Sequence, residues 1–404
     1  LSSWLAHEGI LFTMYFEMKR KQRLLVATGA LVASVALTGC SRLTPHLSEN
    51  YVYVTAKQTY LRDRIAAVSN RTGEVQNGDK LVVLDHARRF IKVRTAKGEV
   101  GWIEDKPTVV AGQDVADKFI ALGAGHEKDG AVGQAMVRDE VVLHIAPGRK
   151  TESFYRLNEG DALSLLKRAS VQKVVAPGAA PAPVVLKKGE EPPVGPPPPV
   201  MEDWWLVRTA KGQTGWIYSH MIDVTEPDTL ARYAEGQRIV GAYVLAYADD
   251  PESGMLDNGA TVTKIPEYVT VLSPYVAGLP YDFDQVRVFI WNVKKHRYET
   301  GFRQHNIAGY LPVAIGTMSD PWGKGQNAAE KLPSFNLKVL AGGQPLPVPD
   351  PVTGLIKPGR LLDKTYRLEG NQVRRMLPPG VTPPEEAHPE PVEEKVKGKG
   401  RRRR

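Results

Sequence analysis

The chain has 404 residues, 42% hydrophobic and 24% charged, which is enough to fill more than one hydrophobic core. Its formal net charge is +8, but the last ten residues, "KVKGKGRRRR", hold seven positive charges and no acid, so the body is near neutral and a nucleic-acid-binding domain is disfavoured. Cys40 is the single cysteine, which excludes an internal disulfide, a cysteine metal cluster and a Cys–His hydrolase site.

Leu1 opens the chain, but a better start lies at Met18 in "MKRKQRLLVATGALVASVALTGCS". Lys19, Arg20, Lys21 and Arg23 form a positive region, and 24–37 is an apolar run too short to span a bilayer comfortably. The run ends in Leu37-Thr38-Gly39-Cys40, which resembles the bacterial lipobox. That resemblance implies lipidation of Cys40, a signal peptide over 18–40 and a non-native upstream extension over 1–17. Several acyl chains on Cys40 would anchor the chain stably to a membrane. Ser41 after the cysteine favours, in a two-membrane host, the periplasmic face of the outer membrane.

A repeat follows. "VRTAKGEVGWI" at 93–103 returns as "VRTAKGQTGWI" at 207–217, with nine of eleven letters shared. Upstream, Leu61 and Gly78-Asp79 match Leu143 and Gly160-Asp161 at a shorter separation. The difference is an insertion in the second copy, rich in Pro, Ala and Gly, placed at 171–203 and expected to be disordered. A hairpin tolerates such a loop because closure entropy grows slowly with length. The "PPVGPPPPV" run within it reads as solvated linker rather than as an internal polyproline ligand.

"KLVVLDHA" and "FIKVRTA" alternate apolar with polar residues, as half-buried strands do, and the "AKG" steps mark tight turns. About five short strands in some 60 residues suggest a small barrel, with Trp102 and Trp216 covering its core. The residues Leu61-Arg62, Gly78-Asp79, Phe90, Val93, Gly98 and Gly101-Trp102-Ile103 resemble the bacterial SH3 (SH3b) family. So do Leu143, Gly160-Asp161, Trp204-Trp205, Val207, Gly212 and Gly215-Trp216-Ile217 in the second copy. The resemblance implies SH3-like barrels over 51–110 and 131–225. It also implies a shallow cleft beside the aromatics Trp102, Trp204, Trp205 and Trp216 for peptidoglycan or its peptides. Arg94 and Arg208 are candidates for its carboxylate contacts. The second copy departs from the first at Ala146-Pro147-Gly148, where Arg64-Ile65-Ala66 stands, which puts its binding in doubt.

"QDVADKFIALG" places Val115, Phe119 and Ile120 near helical spacing, giving a helical linker over 111–130. "EPDTLARYAEG" suits a short helix over 226–237. From 238 to 378 six to eight strand-like runs form an antiparallel β-rich domain of no recognised family. "RVFIWNVKKHRYETGFR" reads as a hairpin turning at Val293-Lys294-Lys295. Trp291, Tyr298, Phe302 and Tyr310 are read as its core, with a carbohydrate-stacking platform as the alternative. Residues 379–404 are read as a disordered tail.

The overall expectation is a mainly β chain without catalytic residues, metal site or cofactor. His296 and His305, with Glu299 between them, lack the spacing of metal ligands on one strand. The function implied is a lipid-anchored envelope binding or scaffold protein whose barrels hold peptidoglycan. The alternatives are an envelope assembly factor with the barrels as spacers, or an accessory to a cell-wall hydrolase. The basic tail could meet anionic lipid or wall polymer.

Overall fold

Alternating sequence becomes three antiparallel sheets. The structure, a computed structural model, describes residues 50–66, 68–174, 199–225, 228–257, 260–324 and 326–390. The signal segment with Cys40, the insertion at 175–198 and the basic end lie outside the described residues.

The first sheet comprises β1 (Tyr51–Val54), β2 (Gln58–Arg62), β3 (Arg71–Gln76), β4 (Lys80–Ala87), β5 (Phe90–Arg94), β6 (Val100–Glu104) and β7 (Val110–Gly112), in the order β3-β2-β6-β5-β4-β1-β7. Every strand contributes to one cluster of Val54, Leu61, Val75, Leu81, Ile91, Val93, Ile103 and Val110. A single sheet can meet itself in this way only by curling around its inward face. Helix α1 (Gln113–Gly125) then leads to the second sheet.

That sheet comprises β8 (Gly133–Val137), β9 (Val141–His144), β10 (Ser153–Leu157), β11 (Ala162–Gln172), β12 (Met201–Thr209), β13 (Thr214–Tyr218) and β14 (Ile222–Val224), in the order β10-β9-β13-β12-β11-β8-β14. Strand for strand, this is the topology of the first sheet. The turns repeat too. Gly78 and Gly160 sit at φ 89° and 81°, each donating to a valine carbonyl, Val54 or Val137, at 2.8 Å. The "AKG" turns place Gly98 and Gly212 at φ 85° and 80°, where glycine alone is unstrained. A Cβ on Gly101 would meet the Leu61 Cβ at 2.7 Å, and one on Gly215 would meet the Leu143 Cβ at 2.7 Å, so both "GW" glycines mark a close strand crossing.

Helix α1 is more than a spacer. Phe119 and Ala116 join the second core beside Phe154 and Leu165, while Ile120 is 61% exposed. The two repeats interlock at Asn77. Its amide donates to the carbonyls of Val54, Thr55 and Phe154 and accepts from the Arg156 backbone at 3.0 Å.

The insertion is shorter than the sequence suggests. β11 and β12 stay paired out to Gln172 and Met201, and the Lys173 amide donates to the Val200 carbonyl at 2.8 Å. Glu202 and Asp203, assigned to the loop by composition, are buried ladder residues.

After α2 (Asp228–Ala231) the third sheet begins at β15 (Arg238–Asp249). A two-residue ladder, β16 (Leu256–Asp257) with β17 (Ala260–Thr261), precedes β18 (Lys264–Ser273), β19 (Phe283–Asn292), β20 (Arg297–Met318), helix α3 (Gln326–Ala329), β21 (Leu332–Leu340), β22 (Leu361–Glu369) and β23 (Gln372–Arg375). The spatial order β15-β18-β19-β20-β21-β22-β23 follows the chain, a meander of the kind that short connections favour. One face packs around Val269, Val288, Phe335 and Tyr366, and the other around Leu272, Phe289 and Trp291.

From residue 51 onward the chain packs as one unit. Arg168 of β11 is the joint between the second repeat and the third sheet. It donates to Asp282 at 2.9 Å and to the carbonyls of Leu279 and Tyr281 at 2.8 and 2.7 Å. Asp203, 3.5 Å away, accepts the Gly278 amide at 3.0 Å, so the joint is a buried charge network spanning the two parts. The end of the described chain is also fastened. Glu386 receives the buried Lys364 ammonium at 2.7 Å and Arg375 at 3.1 Å, and Ala387 donates to the Leu340 carbonyl. Residues 385–388 are therefore strapped to the sheet, although composition places them in a disordered tail.

Candidate functional site

Strand parity sets what each repeat shows to the outside. On β6, Gly101 and Ile103 point inward, so Trp102 must point outward. On β2, Leu61 is inward and Tyr60 and Arg62 outward; on β5, Ile91 and Val93 are inward and Phe90 outward. Trp102 does not cover the core as the sequence suggested. Together with Tyr60, Arg62 and Phe90 it lines a cleft of about 350 Å³ on the outer face of the first repeat, to which Arg64, Ile65 and Ala66 also contribute.

The cleft carries aromatic surface and both signs of charge. Arg62 is held by a 2.8 Å bond to Ser69. Arg71 stacks 3.8 Å over the Tyr60 ring. Glu104 is the acid of the cleft. A hydrogen bond from Lys106, then the fields of Arg89 and Arg62, hold its pKa below the usual carboxylate range, so it stays ionised at neutral pH. Such a lining suits a short zwitterionic chain. Carboxylates can meet Arg62 and Arg64, an amine can meet Glu104, and the aliphatic part can lie on Trp102 and Phe90.

The second repeat keeps the positions and loses the opening. Matching strands places His144 at Arg62, Trp204 at Phe90, Trp216 at Trp102 and Tyr218 at Glu104. These rings fill the space themselves. His144 lies edge-on to Trp204 with centroids 5.1 Å apart, and Trp204 is 5.7 Å from Tyr218. Arg149 folds over Tyr218 at 4.6 Å and closes onto the buried Glu202 at 2.9 Å. Leu355, from the third sheet's β21–β22 connection, bridges to Ala169 and packs against the cluster that holds Trp204 and Trp216. Burial pushes the His144 pKa down, opposed by its bond to Thr151. Trp204, Trp205 and Trp216 are thus internal: Trp205 sits in the inward core, and the other two in the outer cluster that Leu355 packs against.

The two arginines also separate. Arg94 is exposed on the outer face of β5 and does not line the cleft. Arg208 directs its guanidinium to the carbonyls of His126, Glu127 and Asp129 just past the end of α1. Sequence reasoning missed Tyr60, Arg64 and Glu104. Parity around "LR" and "GWI" was the signal that could have found Tyr60 and Glu104.

In the third sheet the aromatic hairpin turns at 293–296 and is core, not platform: Trp291, Tyr298 and Tyr310 are buried, and Phe302 packs against Tyr366 at 5.0 Å. His296 bonds the buried Asp250 at 2.7 Å, which also accepts the Trp291 indole at 2.7 Å. Lys295 foremost, with Asn292 and Arg297, pulls the Glu299 pKa down to about 2, so this carboxylate fastens the hairpin. Among the described residues, no three His, Cys, Asp or Glu side chains stand together as a metal site.

No protein-family model and no curated protein matches the chain. Among solved structures, it is similar to an NlpC/P60 family protein from Bacillus cereus at 12% identity, covering 65% of this chain and all of that one, with a TM-score of 0.20. A likeness that weak carries no argument about fold or function.

Proposed function

We propose that the protein is a cell-envelope binding module in which the first SH3b-like repeat takes a charged wall peptide and the second serves as a mount. The observation that carries this reading is the contrast between the repeats: equivalent positions make an open amphoteric cleft in one and a self-filled aromatic cluster in the other. The resemblance of both repeats to the SH3b family supplies the ligand class, peptidoglycan stem or cross-bridge peptide. Lipidation at Cys40 would hold the chain at the membrane facing that polymer. The test is sedimentation of residues 41–394, without lipid or basic tail, with purified sacculi. The reading expects saturable binding that falls at least tenfold in Trp102→Ala or Arg62→Ala, with melting otherwise near wild type. Soluble protein left wholly in the supernatant would favour an assembly role in its place.

A further inference from the structure

A second cleft, unrelated to the first, opens where the second repeat meets the third sheet. On β20 the ladder with β21 breaks between Tyr310 and Ala314. The extra residues bulge outward, and Leu311 leaves its own sheet to pack against both the third-sheet core and the second-repeat core. Opposite stands the segment that follows Gly354, whose φ of 70° turns the chain back so that Leu355 and Ile356 face Leu311 across a gap. Leu361 closes the floor, and the cleft measures about 480 Å³, within the range of small-molecule sites and, like many of them, at a domain seam.

Its electrostatics are one-sided. Lys167, Lys338 and Lys357 border the apolar walls. Lys338 and Lys357 are exposed at the rim, whereas Lys167 is taken by Asp129 at 2.8 Å. The acid that lines the cleft, Asp282, is already neutralised: one oxygen takes Arg168 at 2.9 Å and the other takes the Leu311 amide at 3.0 Å. Asp363, the ladder partner of Lys338, does not line the cleft. An apolar trough bordered by two exposed lysines matches one chemistry, a hydrocarbon body with an anionic head.

We infer that this seam binds an anionic amphiphile, its chain lying between Leu311, Leu355 and Leu361 and its head meeting Lys338 and Lys357. Binding would add apolar contact to both sides of the joint and so tighten the second repeat against the third sheet. The inference is independent of the wall-peptide reading, because no residue is shared between the two clefts.

The test is calorimetric titration of residues 41–394 with dodecanoate below its micellar concentration, beside dodecanol, butyrate and diheptanoyl phosphatidylglycerol. One saturable site for dodecanoate is expected, at least tenfold weaker for dodecanol and for butyrate. The double variant Lys338→Glu/Lys357→Glu, exposed and so expected to melt as wild type, should weaken dodecanoate at least tenfold. Comparable binding of the short phospholipid marks a membrane lipid as the source, and binding of dodecanoate alone marks a free acid. Equal affinity for dodecanol, equal affinity in the double variant, or no saturable site overturns the inference.

Discussion

Trp102 and Trp216 stand at the same position of equivalent strands, yet Trp102 lines an open cleft while Trp216 is 7% exposed in a packed cluster with Trp204 and Leu206. The two substitutions should therefore part. Trp216→Ala empties a packed cluster and is expected to cost about 3–5 kcal/mol. Trp102→Ala removes an outward ring and should cost about 1 kcal/mol or less. Chemical denaturation of both variants measures the difference, and equal losses would contradict the assignment of faces.

The Arg168 joint gives the second prediction. Asp282→Ala leaves a buried guanidinium short of its closest carboxylate, a change expected to cost about 3–5 kcal/mol. The loss should appear as separation of the third-sheet transition from the rest in calorimetry. A single unshifted transition would show that the joint does not couple the two parts.

Much of this was legible in sequence. The duplication, its strand content, the turn glycines and the hairpin at 293–296 follow from letters that repeat or alternate. The cleft was half legible. Motif reading picked the tryptophans as a class, because the letters "GW" are the same in both copies. It could not say that a leucine from residue 355, far along the chain, would pack against the cluster that buries one of them. The partners of Arg208 were hidden for a related reason: they are carbonyls past the end of α1, and carbonyls carry no sequence signature. Glu202 and Asp203 were hidden by the proline-rich letters before them, although the ladder continues through both.

His144 supplies a pH signature. Burial lowers its pKa below the usual 6.5, so the folded state binds fewer protons than the unfolded chain. Its contribution is fully present above pH 6.5 and is lost as pH falls through the depressed folded value. Glu267 and Asp284, whose pKa values burial raises, contribute the opposite slope, lost as pH rises above the ordinary carboxylate range. The difference between wild type and His144→Gln removes those terms. Stability measured from pH 7.5 to 5 should fall more steeply in wild type, and parallel curves would contradict a buried neutral imidazole.

The C-terminal strap yields a fourth expectation. The Lys364 side chain is 0% exposed, and burial already lowers its pKa against the support of Glu386. Glu386→Ala strands that ammonium and should cost about 3–5 kcal/mol. Limited proteolysis should then cut within 379–390 much faster than in wild type. Unchanged cleavage would mean that the strap is held by its backbone bonds alone.

The central claim is that one of two equivalent repeats is open to ligand. Calorimetric titration of residues 41–394 with a soluble wall stem peptide tests it most directly. The account predicts one peptide per chain and loss of at least tenfold in affinity in Trp102→Ala, with the same stoichiometry and affinity retained in Arg208→Lys. Two peptides per chain, or binding untouched by Trp102→Ala, would contradict it.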